Sequence, residues 1–336
     1  MTKQKIQLLI FAWGASYEGK LNLTIKSFMN DLKILKKKKV NVSLIFFTDR
    51  DLESILKKKL FIELSNHKIE FEVYDISKRL GKKGFFNKMQ EYAFLISRDL
   101  KSDIIIPIYS DFIFFDNSLI NVINILTNDK TKMICQPILC LIEEKVFPKI
   151  SKILKSKKVL HQKSDLPSII SKNNIHNIQK MMIINNDAVC LSPAWQIYIA
   201  KNDDIYISAF HNSPIAFRTE LLPEIIEIII SSDEDFTNTL FNNLKYYSEC
   251  YFIEDSNESL IISLKSIKDK PTEIISYIAK QINKKAMNEA KLWTQKSTNN
   301  FHKYSSNFVY FINHKSRKKN EKVINYINEL NNKLLD

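Results

Sequence analysis

Glycine is nearly missing from this chain: there are 4 in 336 residues, at positions 14, 19, 81 and 84, and none after that. Average use is about 7%. The scarcity excludes nucleotide sites built on a glycine cradle. Neither GxxxxGK[ST] nor GxGxxG occurs, and the nucleophile-elbow pattern GxSxG is absent as well. Arginine is scarce too, at 5 against 45 lysines. The bidentate guanidinium fork favoured for phosphate and base reading is therefore in short supply. The 4 cysteines, Cys135, Cys140, Cys190 and Cys250, show no CxxC spacing and read as reduced core thiols, not a disulfide frame or a zinc site. No stretch reaches 18 apolar residues, which excludes a spanning helix. The apolar run near the N-terminus lacks a small-residue cleavage site after it and reads as a strand, not a signal peptide.

What is present is an ordinary globular composition, 45% apolar and 26% charged, with a net charge of +13. Abundant Lys, Asn and Ile beside scarce Gly, Arg and Ala fits the drift of an AT-rich genome. Residues 271–336 hold 12 Lys and Arg against 5 Asp and Glu, so more than half of the net charge sits in the tail.

Apolar runs of strand length alternate with helical periodicity over residues 1 to about 145. Strands are expected at Ile6–Trp13, Val40–Phe47, Ile69–Tyr74, Ile104–Tyr109 and Lys132–Leu141. Helices are expected at Leu21–Leu35, Asp51–Leu60, Phe85–Asp99 and Ser118–Leu126. This order predicts βαβ units and a mostly parallel sheet flanked by helices, an α/β fold. Lys149–Ile178 is polar and basic, Met182-Ile183-Ile184 is strand-like, and Tyr251–Ile253 reads as a final short strand. From Pro271 a helical stripe runs through Ile274, Ile278, Ile282 and Met287. Two parts are expected: a catalytic domain over 1–265 and a basic helical extension over 266–336.

The segment richest in chemistry is Asp103–Leu119, where an apolar strand delivers Ser110-Asp111 at its carboxyl end. Ligands of open α/β sheets bind at that edge, and a carboxylate there can meet a cation or a hydroxyl-rich ligand. A capping role in the next turn is the plain alternative. A second segment, Ser208–Arg218, gathers His211, Asn212, Ser213 and Arg218. His211 there could contact a diphosphate or metal, or orient a hydroxyl, or simply bond the backbone of its loop. A third, Ser231-Ser232-Asp233-Glu234-Asp235, could supply a general base. It could equally be a capped helix start whose acids oppose the macrodipole. Glu254-Asp255-Ser256 is a weaker case of the same kind.

The order of these elements resembles the nucleotide-sugar-binding half of GT-A-type glycosyltransferases over roughly residues 4–260. The residues that carry the likeness are Phe11-Ala12-Trp13-Gly14-Ala15, Thr24–Phe28, Phe47-Thr48-Asp49, Lys88-Met89 with Tyr92-Ala93, and Ser110-Asp111. The resemblance implies transfer of a sugar from a nucleotide-sugar donor to a glycan or lipid-linked acceptor, in bacterial surface polysaccharide or lipopolysaccharide synthesis. Trp13, Ala15 and Asp49 would frame the nucleotide. Lys88, Ser110, Asp111, His211, Asn212 and Arg218 would face the diphosphate or sugar, and Asp111 with His211 would hold Mg²⁺ or Mn²⁺. In the family the last strand ends in a DxD-like motif, whereas here Asp111 stands alone until Asp116. Asp233 or Glu234 would serve as the base of an inverting transfer. The expected location is cytoplasmic, peripheral at the inner face of the membrane if the basic tail (Lys315–Lys319) lies on anionic lipid; a solvated helix face is the plain alternative for that tail. No nucleic-acid partner is expected. Two other readings remain open: a nucleic-acid-binding protein, supported by charge alone, and a GT-A-like scaffold without activity.

Overall fold

Strands covered on both faces are built from unbroken apolar runs, and such runs form the sheet core of this protein. The computed structural model describes residues 4–80, 85–128, 130–170, 174, 182–184, 187–192, 196–201, 204–209, 214–224, 233–266, 300–312 and 318–335. In chain order the elements are β1 (Lys5–Phe11), α1 (Glu18–Lys37), β2 (Asn41–Thr48), α2 (Arg50–Leu56), α3 (Leu60–Asn66), β3 (Glu70–Asp75), α4 (Phe85–Asp99), β4 (Ile104–Tyr109), β5 (Phe112–Phe114), α5 (Ser118–Leu126), β6 (Met133–Cys135) and β7 (Leu139–Ile142). There follow α6 (Glu143–Lys157), α7 (Gln162–Ile169), β8 (Met182–Ile184), β9 (Asp187–Ser192), β10 (Gln196–Lys201), β11 (Asp204–Ala209), β12 (Pro214–Arg218), α8 (Asp233–Asn242), β13 (Cys250–Phe252), β14 (Ile261–Lys265), α9 (Asn300–Ser305), β15 (Tyr310–Ile312) and α10 (Glu321–Leu335).

The chain forms two compact units. The first takes in residues 1–135, 154–159 and 214–251, and the second residues 136–153, 160–213 and 252–336. The first unit is α/β. Its seven-stranded sheet has the order β13-β6-β12-β4-β1-β2-β3, with β1 parallel to both β2 and β4, and β2 parallel to β3. β12 runs antiparallel to its neighbours β4 and β6. The expected mostly parallel, helix-flanked sheet is thus the observed one. Helix α1 buries the stripe Leu21, Ile25, Phe28, Leu32 and Leu35. The outermost strand β3 alternates exposed and half-buried residues, Glu70, Glu72 and Asp75 outward; charges on an edge strand block pairing with other chains.

Three helices of this unit end in the same way. Lys39, Lys68 and Lys101 hold positive φ values of 57, 55 and 53° just beyond α1, α3 and α4. At α1, Lys39 N–H donates to Lys36 C=O at 2.9 Å and Val40 N–H to Leu35 C=O at 3.0 Å. The same pair of bonds recurs at Lys68 and Ile69, and at Lys101 and Ser102. This is the Schellman closure, whose left-handed residue is usually glycine. Lysine occupies it here three times.

In the second unit, β15-β11-β10-β9-β8 form an antiparallel sheet, and β7 pairs in parallel with β14. The C-terminal part is helical at α9 and α10, as expected, but β15 between them is a strand bonded to β11. The expected strand Lys132–Leu141 is two strands, because the chain breaks at Gln136-Pro137-Ile138 and Pro137 has no N–H for a ladder. The expected helix Asp51–Leu60 is likewise two helices, parted by a turn at Lys57–Lys59. Tyr251–Ile253 is not the last strand, since β14 and β15 follow it. The stripe from Ile274 to Met287 lies outside the described residues.

Candidate functional site

Parallel pairing decides which residues share an edge. Phe11 of β1 is level with Phe47 of β2 and with Tyr109 of β4. The next residues along each strand are therefore Ala12-Trp13, Thr48-Asp49 and Ser110-Asp111. All emerge together at the carboxyl edge of the first unit's sheet, the edge where open α/β sheets bind ligands. An aromatic row underlies it: Tyr109, Phe11, Phe47 and Tyr74 stack in succession with centroids 5.6 Å apart. Offset-stacked rings at this spacing add about 0.5–1.5 kcal/mol per pair beyond their burial, so the row stiffens the floor of the edge.

The loop after β1 is held by a carboxylate. Gly14 takes φ 82°, a left-handed value at which any side chain would be strained. Its N–H donates to Asp49 Oδ2. The other oxygen, Oδ1, accepts from Leu52 N–H at 2.8 Å and caps α2. Buried Asp49 thus ties the β1–α1 loop to the β2–α2 loop, with each oxygen engaged by a backbone donor. Ala15 is exposed at the start of a short 3₁₀ turn. Trp13, half-buried, is ringed by Phe85 at 5.2 Å, Tyr17 at 6.1 Å and Phe86 at 6.2 Å. Phe86 in turn packs on Tyr109 at 5.6 Å, so aromatic side chains line the edge from β1 to β4.

At the end of β4, the Ser110 carbonyl accepts from the buried Thr24 hydroxyl of α1 at 2.8 Å. The Tyr109 hydroxyl accepts from Gln90 Nε2 of α4 at 2.7 Å. These bonds hold Ser110-Asp111 from both faces of the sheet. Asp111 retains 9% exposure at the edge. Lys88 is exposed on the first turn of α4, the same turn that brings Phe85 to Trp13.

Behind this edge lies a carboxylate that sequence reasoning missed. Asp31, buried on α1, accepts from Asn117 N–H at 3.3 Å, Leu119 N–H at 3.1 Å and Ile120 N–H at 3.4 Å. It caps α5, whose own N-cap residue, Asn117, sits at φ 62° and makes no side-chain cap bond. Burial pushes its pKa up to about 6, against the three backbone donors, which pull it down. The signal was available: an aspartate on the apolar stripe of a helix, between Phe28 and Leu35, must find buried donors. A second missed group stands at the end of β3. The Arg50 Nε donates to Asp75 at 2.8 Å, and bonds from Ser77 first and Arg50 second hold Asp75 down at about 2. The Arg79 guanidinium lies 4.1 Å over the Tyr92 ring.

Other expected site residues are placed differently. Arg218 pairs with Ile104, the first residue of β4, so it lies at the opposite edge from Asp111. Its Nε donates to Thr131 C=O at 3.0 Å and its Nη2 to Leu126 C=O at 2.9 Å. It closes the end of α5 and is not brought to Ser110-Asp111. Asp233 and Glu234 are the first two residues of α8, the end away from its anchor, where Asn243 Nδ2 donates to Leu221 C=O at 2.9 Å. His211 and Asn212 lie outside the described residues, as do Ser231 and Ser232. Among the described residues no group of three His, Cys, Asp or Glu gathers to hold a metal ion. Asp111 alone does not make a protein cage for Mg²⁺ or Mn²⁺.

No family model matches the chain, and no curated protein matches it. Solved structures are similar at low identity. The crystal structure of S. aureus TarS 1–349 in complex with UDP-GlcNAc has a TM-score of 0.43 and 11% identity, over 98% of this chain and 72% of that one. The same fragment in complex with UDP gives 0.37 and 10%, over 87% and 65%. The longer S. aureus TarS structure gives 0.37 and 12%, over 87% of this chain, which spans 39% of that one.

Proposed function

We propose that this protein is a nucleotide-sugar-dependent glycosyltransferase. The observation that carries the reading is the common edge of β1, β2 and β4. There a pinned loop, an aromatic wall around Trp13 and the Ser110-Asp111 strand end meet without any glycine cradle. In this reading the nucleotide lies along Trp13 and Ala15, on the loop that Asp49 holds. Ser110 and Asp111 face the diphosphate and donor sugar, where Asp111 accepts from sugar hydroxyls. Lys88 supplies positive charge to the leaving diphosphate, with His211 and Asn212 as further donor contacts. Asp233 or Glu234 takes the proton from the acceptor hydroxyl as it attacks the anomeric carbon, and the nucleoside diphosphate leaves. Arg218 takes no part in binding and fixes the α5–β6 connection. The acceptor is a glycan or lipid-linked glycan of a bacterial surface polysaccharide, met at the inner face of the cytoplasmic membrane.

A thermal-shift screen against UDP-, GDP-, CMP- and dTDP-sugars tests the reading. One donor is expected to raise Tm in proportion to ln(1 + [L]/Kd). Asp111→Asn is expected to remove that shift and lower turnover by roughly a hundredfold. No shift with any donor would favour the scaffold reading, and full activity in Asp111→Asn would move the site elsewhere.

A further inference from the structure

The edge opposite Asp111 has the reverse character. Helices α1, α3, α4 and α5 run back against the strands, so their C-terminal ends gather at the amino edge of the first unit's sheet. Each end carries exposed lysine: Lys36–Lys39 at the end of α1, Lys68 after α3, Lys101 after α4 and Lys130 after α5. Cations there also complement the helix dipoles. Residues 32–48 contain five lysines and no acid. Most acids at this edge, among the described residues, are already engaged. Glu70 pairs with Lys36 at 3.3 Å, Glu220 and Glu249 with Lys132 at 3.0 and 3.3 Å, and Asp103 accepts from Lys5 N–H at 2.6 Å; Asp99 and Glu224 are exposed.

Apolar side chains stand among these lysines. Ile62 of α3 is 53% exposed, one turn before that helix ends at Asn66. Tyr246 and Tyr247, 59% and 47% exposed, adjoin Lys245. They precede Glu249, whose carbonyl accepts from Lys132 N–H at 2.9 Å at this same edge. Three of the five large exposed apolar residues among the described residues thus belong to the lysine-bearing end.

We propose that this amino edge is a docking surface for an anionic lipid bilayer. Lysine stems and Ile62 suit the interfacial layer, and exposed tyrosines suit the headgroup boundary. A nucleic-acid footprint would lean on guanidinium forks, but both described arginines near this edge are turned to backbone carbonyls: Arg98 donates to Pro223 and Glu224 at 3.4 and 3.0 Å, and Arg218 to Thr131 and Leu126 at 3.0 and 2.9 Å. An aliphatic Ile62 also has no role on a phosphate backbone. The surface lies at the opposite end of the strands from the donor edge. With it against the membrane, eight-residue β2 would hold the Asp111 edge roughly 25 Å from the lipid.

The test is sedimentation of the full-length protein with phosphatidylcholine vesicles, with and without 30% phosphatidylglycerol (a probe composition chosen on the order of natural anionic content). Binding is expected only with the anionic lipid and is expected to fade in high salt. The decisive variant is Lys39→Gly/Lys68→Gly/Lys101→Gly. Each lysine lost should weaken partitioning roughly fivefold, so the triple variant should bind roughly a hundredfold less. Because glycine relieves three left-handed lysines, its Tm should rise, which separates lost binding from misfolding. Ile62→Ser should weaken binding further at unchanged salt slope. Equal sedimentation of wild type and triple variant would overturn the proposal, as would tight binding to RNA or DNA with none to vesicles. Donor thermal shifts are independent of either outcome.

Discussion

Lys39, Lys68 and Lys101 each occupy a backbone conformation that a β-carbon disfavours by roughly 1 kcal/mol. A chain with 4 glycines closes its helices with what it has. Lys68→Gly alone should therefore stabilise the protein by about 0.5–1 kcal/mol, even after the unfolded chain's extra freedom is counted. Chemical denaturation would register this as a higher midpoint at constant slope; a lower midpoint would refute it. Asp31 makes a prediction of opposite flavour. Its folded pKa of about 6 lies above the 3.8 of the free side chain, so the folded state holds this proton longer than the unfolded state. The group's contribution is complete below about pH 4 and is lost as pH rises through 6, a change of at most about 3 kcal/mol. Stability of the wild type relative to Asp31→Asn should thus fall between pH 4 and 7. A flat difference would mean that Asp31 is not the titrating group. Neither feature was read from the sequence: the three helix ends carry no glycine or asparagine at the left-handed position to mark them, and Asp31 finds its donors only when the chain returns, with Asn117 86 residues away.

At the scale of elements, the strands of the first unit were legible because each is a short apolar run buried on both faces, and their order fixed the edge on which Ser110-Asp111 must lie. What was not legible were interruptions. Pro137 splits one apolar run into strands of different sheets, and Lys57–Lys59 split one helical pattern in two, since composition stays constant across each break. Asp49 was legible as an edge residue but not in its role. Its two oxygens join two loops, so it positions the loop that bears Trp13 and Ala15. Asp49→Asn keeps the acceptor for Leu52 N–H but turns an amide towards Gly14 N–H. The expected result is a donor KM raised roughly five- to tenfold, about the worth of one buried hydrogen bond, with kcat within roughly twofold. A fall in kcat at unchanged KM would instead make Asp49 part of the chemistry.

At the scale of the whole molecule, the chain crosses between its two units five times, at residues 135, 153, 159, 213 and 251. Sequence composition suggested a break near 265, where basic character increases, but composition is blind to a three-residue strand such as β15. Tyr310, Phe311 and Ile312 are all buried, and they pair with Ile207, Tyr206 and Ile205 of β11. The Tyr310 hydroxyl also donates to Ser259 C=O at 2.7 Å, and Asn331 Nδ2 of α10 donates to Ser208 Oγ at 2.9 Å. A chain ended at Lys265 would lose all of these. Uncovering three buried side chains costs about 1.5–3 kcal/mol each, and β11 would be left as a flat apolar edge open to pairing with other molecules. Such a chain is expected to elute as aggregates and to bind a hydrophobic dye, while the full-length protein elutes as a single species. A monomeric 1–265 fragment with undiminished Tm would show that the second unit's sheet does not need β15.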